Sequence, residues 1–205
     1  LKGKLKLLPE EWQVLEQSVG RIVKAPIYID ETPGITLTEF VAKSKRLVRE
    51  KGVKIIFVDY LQLMHSGKPQ LGGFSKVQEV TEISNTLKTT AKELNIPIIA
   101  LAQLNRNLMS RMGSNGKPVL SDLKDSGSIE QDADIVVFLH RPGLIGLAED
   151  PDEQAKTEVI FAKNRNGQIG SVEMRYVGHL MKFEDVQPTF YESAINSEPV
   201  RTPAR

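Results

Sequence analysis

The apolar residues of this chain follow two alternating rhythms. In LPEEWQVLEQSVGRIVKA, residues 8–25, Trp12, Leu15, Val19 and Ile22 recur at helical spacing. Pro9, Glu10 and Glu11 suit the first turn of that helix. PIYID, residues 26–30, reads as a short strand, and TPG as a turn. Thr36 with Glu39 then forms a capping box for a helix whose apolar face is Leu37, Phe40, Val41, Leu47 and Val48, ended by Gly52. KIIFVDYLQLM, residues 54–64, breaks that rhythm with an apolar run that drives into a single carboxylate, Asp59. A run of this kind predicts a fully buried strand of a parallel sheet, and ligands bind at the carboxyl ends of such strands. Asp59 therefore stands at the mouth of a prospective site, although a strand-terminal aspartate capping a turn gives the same pattern.

The pattern then repeats. HSGKPQLGGFSK is a polar loop, and from Ser75 a long helix places Val77, Val80, Ile83, Leu87, Ala91 and Leu94 on one face. PIIALAQ, residues 97–103, is a second buried run with a polar residue, Gln103, at its carboxyl end, and DIVVFLH, residues 134–140, is a third. The period changes to two in TEVIFAKN and SVEMRYV, joined by the turn NGQIG. Strands alternating with helices predict an α/β fold, a mainly parallel sheet flanked by helices, extended by a carboxyl-terminal antiparallel hairpin. One domain is expected over residues 1–186, followed by a polar, proline-containing tail, 187–205.

Composition narrows the chemistry. The 205 residues carry a formal net charge of +1, so a nucleic-acid site has to be a local cluster. There is no cysteine, which excludes disulfides and thiolate metal sites and fits a reducing cytoplasm. His65, His140 and His179 lack ligand spacing, so a zinc centre is not indicated. No run approaches the roughly 18 apolar residues of a membrane span, and no signal peptide is visible. The chain begins at Leu1 in LKGKLKLLPEEW, which reads like the middle of a longer sequence.

Four segments, in order, resemble the motor domain of the replicative DnaB-type hexameric DNA helicases, a branch of the RecA-like ATPases. They are IIFVDYLQLM (55–64), IPIIALAQLNR (96–106), LSDLKDSGSIEQDADIVVFLHR (120–141) and FAKNRNGQIG (161–170); APIYIDETPGIT (25–36) is similar to the family's linking segment. The resemblance implies a RecA-like P-loop fold that binds ATP and Mg2+. Asp59 matches the Walker B aspartate, holding Mg2+ through water. Gln103 matches the sensor position, facing the γ-phosphate or the attacking water. Lys163 and Arg165 match the lysine and arginine finger that reach a neighbouring subunit's nucleotide, and their alternation puts both on one side of a strand. LKDSGS, residues 123–128, matches the central-channel loop, in which Lys124 and the backbone near Gly127 would meet phosphate oxygens while Asp125 orients its neighbours. The family usually has arginine then glutamate there, so bidentate geometry is lost at Lys124. Lys68 and Lys76, flanking the earlier loop, are further candidates for DNA, and equally for a solvated loop.

The phosphate-cradling GxxxxGK[ST] is absent from the sequence, as is the family's water-activating glutamate; both normally precede the segment where this chain begins, which points to truncation. In the fold implied by the resemblance, the P-loop strand lies between the strands assigned to 97–102 and 135–140. The leading expectation is the carboxyl-terminal part of a cytoplasmic, ATP-dependent replicative helicase, hexameric, on single-stranded DNA, with primase and helicase loader as partners. The fragment alone is expected to be inactive. A RecA-like recombinase-type ATPase and a non-catalytic module binding a helicase or loader are the alternatives.

Overall fold

The computed structural model describes residues 8–67, 75–104, 116–145 and 154–186, apart from the side chains of residues 124–126, 144 and 145. The tail 187–205 and Lys68 lie outside the described residues. The chain divides into two compact units, Leu1–Pro33 and Gly34–Arg205.

In the first unit, helix α1 (Pro9–Lys24) forms where its periodicity predicts. The Glu11 carboxylate accepts the backbone N–H of Leu8 at 2.7 Å, satisfying one of the donors that every helix start leaves open. Its apolar stripe stays uncovered, with Trp12, Leu15, Val19 and Ile22 all exposed. PIYID is not a strand: residues 26–30 join no ladder, and Ile27, Tyr28 and Ile29 are exposed. An alternating pattern makes a strand only when a neighbour supplies ladder bonds, and no described strand pairs with this segment. Asp30 turns the chain instead, its carboxylate accepting the N–H and hydroxyl of Thr32 at 3.0 and 2.5 Å.

The second unit begins with α2 (Leu37–Lys51), capped as the sequence indicates. Thr36 Oγ1 accepts the N–H of Glu39 at 3.3 Å, the Glu39 carboxylate accepts the N–H of Thr36 at 3.0 Å, and Gly52 closes the helix at φ +66°. Strand β1 (Ile56–Val58) follows, then a short 3-10 turn, Leu61–Leu63. Helix α3 (Lys76–Leu94) starts at the Ser75–Gln78 capping box and leads to β2 (Ile98–Ala100). β1 and β2 pair in parallel, with Ile56 opposite Ile98 and Val58 opposite Ala100. The main core lies against this pair: Leu37 and Phe40 from α2, Val80, Ile83 and Leu87 from α3, and Leu61 and Met64 from the turn.

Among the described residues the parallel pair is covered on one face only, against the expectation of full burial. Ile56, Val58 and Ile98 pack on the core, whereas Ile55, Phe57 and Ile99 are exposed, Phe57 by 63 %. Successive strand residues face opposite sides, and no described element covers the second side.

A 3-10 segment (Leu120–Ser126) runs into α4 (Gly127–Asp132) and then β3 (Ile135–His140). β4 (Lys156–Asn164), β5 (Gly170–Val177) and β6 (Lys182–Asp185) complete an antiparallel sheet in the order β3-β4-β5-β6. The antiparallel extension is thus four strands, with the expected hairpin as its middle. β6 escaped sequence reading because KFED is short and polar. A smaller core of Leu123, Val136 and Phe138 seats α4 on this sheet. β2 and β3 belong to separate sheets, as the resemblance implies for strands that flank a third.

Candidate functional site

Asp59 directly follows β1 and is exposed; Gln103, three residues beyond β2, is exposed at the same end of the parallel pair. The peptide bond between Asp59 and Tyr60 is cis. Beyond the strands the backbone stays paired: Leu101 N–H donates to Val58 O at 2.9 Å, and Leu61 N–H to Leu101 O at 2.8 Å. Gln62 extends the connection with its side chain. Its Nε2 donates to Gln103 O at 3.0 Å, and its Oε1 accepts the N–H of Gln103 at 3.2 Å. Sequence reading missed Gln62 because it sits among apolar neighbours and its partner is 41 residues away.

An exposed carboxylate at a strand mouth suits a hard cation that keeps most of its waters. The described residues contain no cluster of three or more acidic or histidine side chains, so Asp59 fits as one ligand to Mg2+ and not as part of a protein cage.

Lys163 and Arg165 lie at the far end of β4 and the turn after it. Both end groups meet the same segment of their own chain. Lys163 Nζ donates to the carbonyls of Glu130 and Gln131 at 2.5 and 3.3 Å, at the carboxyl end of α4. Arg165 N–H donates to Asp134 O at 2.9 Å, and its guanidinium stands 3.6 Å from the Asp134 carboxylate. The other oxygen of Asp134 is held by Lys88 of α3. That hydrogen bond, with the charges of Lys88 and Arg165, outweighs burial and keeps the Asp134 carboxyl below the usual range. Ser84 of the same helix donates to Asp132 at 2.8 Å, so α3 fastens both ends of the α4–β3 junction. The anionic partner of Arg165 and the anchor of Lys163 carried no sequence signal, since both depend on α4 packing beside β4.

Of the DNA candidates, Lys124 and Asp125 have backbone in the 3-10 segment, their side chains lying outside the described residues. Gly127 opens α4, exposed, with nothing near the position a Cβ would take. Lys76 is exposed in the first turn of α3, its ammonium 3.8 Å from the buried Glu79 carboxylate. At the end of β3, buried His140 faces Glu158 across the ladder. Burial lowers the His140 pKa. For Glu158, burial pushes upward, but hydrogen bonds from Lys117, at 2.8 Å, and Ser171 hold the carboxyl below its ordinary value.

A carboxylate and an amide thus stand at the carboxyl ends of adjacent parallel strands, the place where open α/β sheets bind ligands. Comparison makes the class specific: residues 1–185 match the DnaB-like helicase C terminal domain, and the chain belongs to that family. It is 42 % identical over 191 residues to the replicative DNA helicase DnaB of Geobacillus stearothermophilus, covering 93 % of this chain and 40 % of that protein. The replicative DNA helicase DnaC of Bacillus subtilis is 40 % identical over 190 residues, covering 92 % and 40 %. A solved DnaB-like replicative helicase, described with its interactions with primase, superposes with a TM-score of 0.78 at 32 % identity over 91 % of this chain and 43 % of that one. A solved ATPase domain gives the same TM-score at 33 % identity, covering 89 % and 62 %. The RecA-like fold expected from the sequence is therefore the fold of this chain, which spans about two fifths of the length of these curated relatives.

Proposed function

We propose that residues 1–186 are the carboxyl-terminal part of the motor domain of a replicative DNA helicase that couples ATP hydrolysis to movement on single-stranded DNA. The observation that carries this reading is the placement of Asp59 and Gln103 together at the carboxyl end of the parallel pair in a chain of this family. Asp59 would hold Mg2+ through water, and Gln103 would present its amide to the γ-phosphate or the attacking water. Bound Mg2+ supplies neutralisation of the charge that develops on the phosphates. The phosphate cradle would come from residues other than these, since no Gly-Lys-Ser or Gly-Lys-Thr occurs in the sequence.

Arg165 would act on a neighbouring subunit's nucleotide in a hexamer, a guanidinium supplied in this way being worth about 10³ to 10⁵ in rate. The exposure of its side chain, 64 %, and its loose pairing with Asp134 leave it free to change partner. Lys163, bound to the end of α4, would tie that interface to the segment bearing Lys124, Asp125 and Gly127, where the DNA backbone would pass. Lys76 would add a second cation. Primase and a helicase loader would be the protein partners, in the cytoplasm. Among the described residues no helix is long and apolar enough to cross a membrane.

The test uses the complete gene product: ATP hydrolysis stimulated by single-stranded DNA and unwinding of a forked duplex, both dependent on Mg2+. Absence of both from a folded, hexameric preparation overturns the reading.

A further inference from the structure

We infer that Gln62 is the positioning residue for Gln103, acting as an extra rung of the parallel ladder built from a side chain. This rests on the reading of Gln103 as the residue that faces the nucleotide.

The ladder shows why a side chain is needed. On the β1 side, alternate residues of the second strand present their N–H and C=O: Pro97 O accepts from Ile56 N–H at 3.1 Å, and Leu101 bonds Val58 and Leu61 through both of its groups. The next residue in that alternation is Gln103. By then the first strand has ended, since Asp59 and Tyr60 leave the ladder and Leu61–Leu63 curl into a 3-10 turn. Gln62 fills the place with its carboxamide, which has the donor and acceptor of a peptide group. It donates to Gln103 O and accepts from Gln103 N–H. Only one amide orientation satisfies both bonds, because the flipped one would set donor against donor and acceptor against acceptor.

The turn that holds Gln62 is itself fixed. Leu61 before it and Met64 two residues after it are 2 % exposed in the main core, and Met64 N–H donates to Leu61 O at 3.1 Å. The Gln103 backbone is thereby fastened to the turn that begins at Asp59, so the two groups assigned to the metal and the phosphate keep a common frame. Among the described residues Gln103 has no strand neighbour on this side to do the same work, β2 ending at Ala100. Gln62 itself need touch no nucleotide.

The experiment is a double-mutant cycle in the complete gene product, with Gln62→Ala, Gln62→Glu, Gln103→Ala and the double variant Gln62→Ala/Gln103→Ala. Gln62→Glu keeps the acceptor but turns the donor into an oxygen facing Gln103 O. Both Gln62 variants are expected to lower kcat for ATP by about tenfold or more, the scale set by small misplacements of a reacting group, with KM changed by less than about twofold. Exchange of the Gln103 backbone amide is expected to speed up in Gln62→Ala, and Gln62→Ala is expected to do nothing further to kcat in the Gln103→Ala background. Normal kcat in both Gln62 variants while Gln103→Ala is impaired overturns the inference and leaves the reading of Gln103 standing. So does an equal fall in kcat from Gln62→Ala with or without Gln103. Normal hydrolysis by Gln103→Ala overturns the reading of Gln103, and with it the purpose assigned to Gln62.

Discussion

Replacing Lys163 with methionine removes the ammonium that holds the carboxyl end of α4. The stem of the side chain is retained while Nζ, which donates to Glu130 O and Gln131 O, is lost. Hydrogen bonds from a charged donor contribute about 1.5–3 kcal/mol when well enclosed. Lys163 is only half-buried and the longer bond is weak, so about 1–2 kcal/mol is the realistic loss, borne by the carboxyl end of α4. The local helix bond there is Ala133 N–H to Ile129 O, 3.0 Å. Its amide should exchange roughly 5- to 30-fold faster in Lys163→Met, since each 1.4 kcal/mol or so is a factor of ten. Arg165→Met is the matched comparison. Its 3.6 Å pairing with Asp134 is exposed on both sides and of a kind worth about 0–1 kcal/mol, so exchange at Ala133 should hardly move. Hydrogen exchange followed residue by residue reads both variants. Unchanged protection at Ala133 in Lys163→Met, or equal loss in both, would refute the anchoring of Lys163 on α4.

Asp59→Asn in the complete gene product should suppress Mg2+-dependent ATP turnover with little change in thermal stability, because the residue is exposed at a strand end; wild-type turnover would remove Asp59 from the metal site. Arg165→Ala should still bind nucleotide yet hydrolyse it about 10³-fold or more slowly, and single-turnover hydrolysis should partly return when these subunits are mixed with phosphate-cradle mutants. Near-normal rates in homogeneous Arg165→Ala rings speak against action on a neighbour. Lys124→Ala should weaken single-stranded DNA binding for all sequences alike and flatten its salt dependence, whereas an unchanged slope marks a solvated lysine. His140 gives a pH prediction: its folded pKa lies below the unfolded value of about 6.5, so the unfolded chain binds the proton first as pH falls. Stability should therefore decline below about pH 6.5 and level off once the lowered folded pKa is passed. His140→Gln should flatten that stretch of the curve, measured as urea midpoints at pH 7.5 and 5.5; an identical pH slope in the variant would count against it.

Local rules read from the sequence hold where they depend on near neighbours. The Thr36–Glu39 cap, the start of a long helix at Ser75, the Gly52 stop and the period-two hairpin around NGQIG all form as written, because each is decided within a few residues. Asp59 and Gln103 were also legible, since an apolar run ending in a polar residue marks a strand end whatever surrounds it. PIYID shows the limit: its alternation is that of a strand, but strands need partners and alternation does not supply one. Depth of burial was beyond the sequence for the same reason, and β1 and β2, apolar on both faces, are covered by described residues on only one. The pairings of Gln62 with Gln103, Lys163 with α4, and Arg165 and Lys88 with Asp134 join residues about 30 to 46 positions apart. Sequence alone determined which side chains stand at the ends of elements. Only the tertiary structure decided what each one touches, because a hydrogen bond or ion pair is set by distance in space, and packing of α3 and α4 against the strands sets that distance.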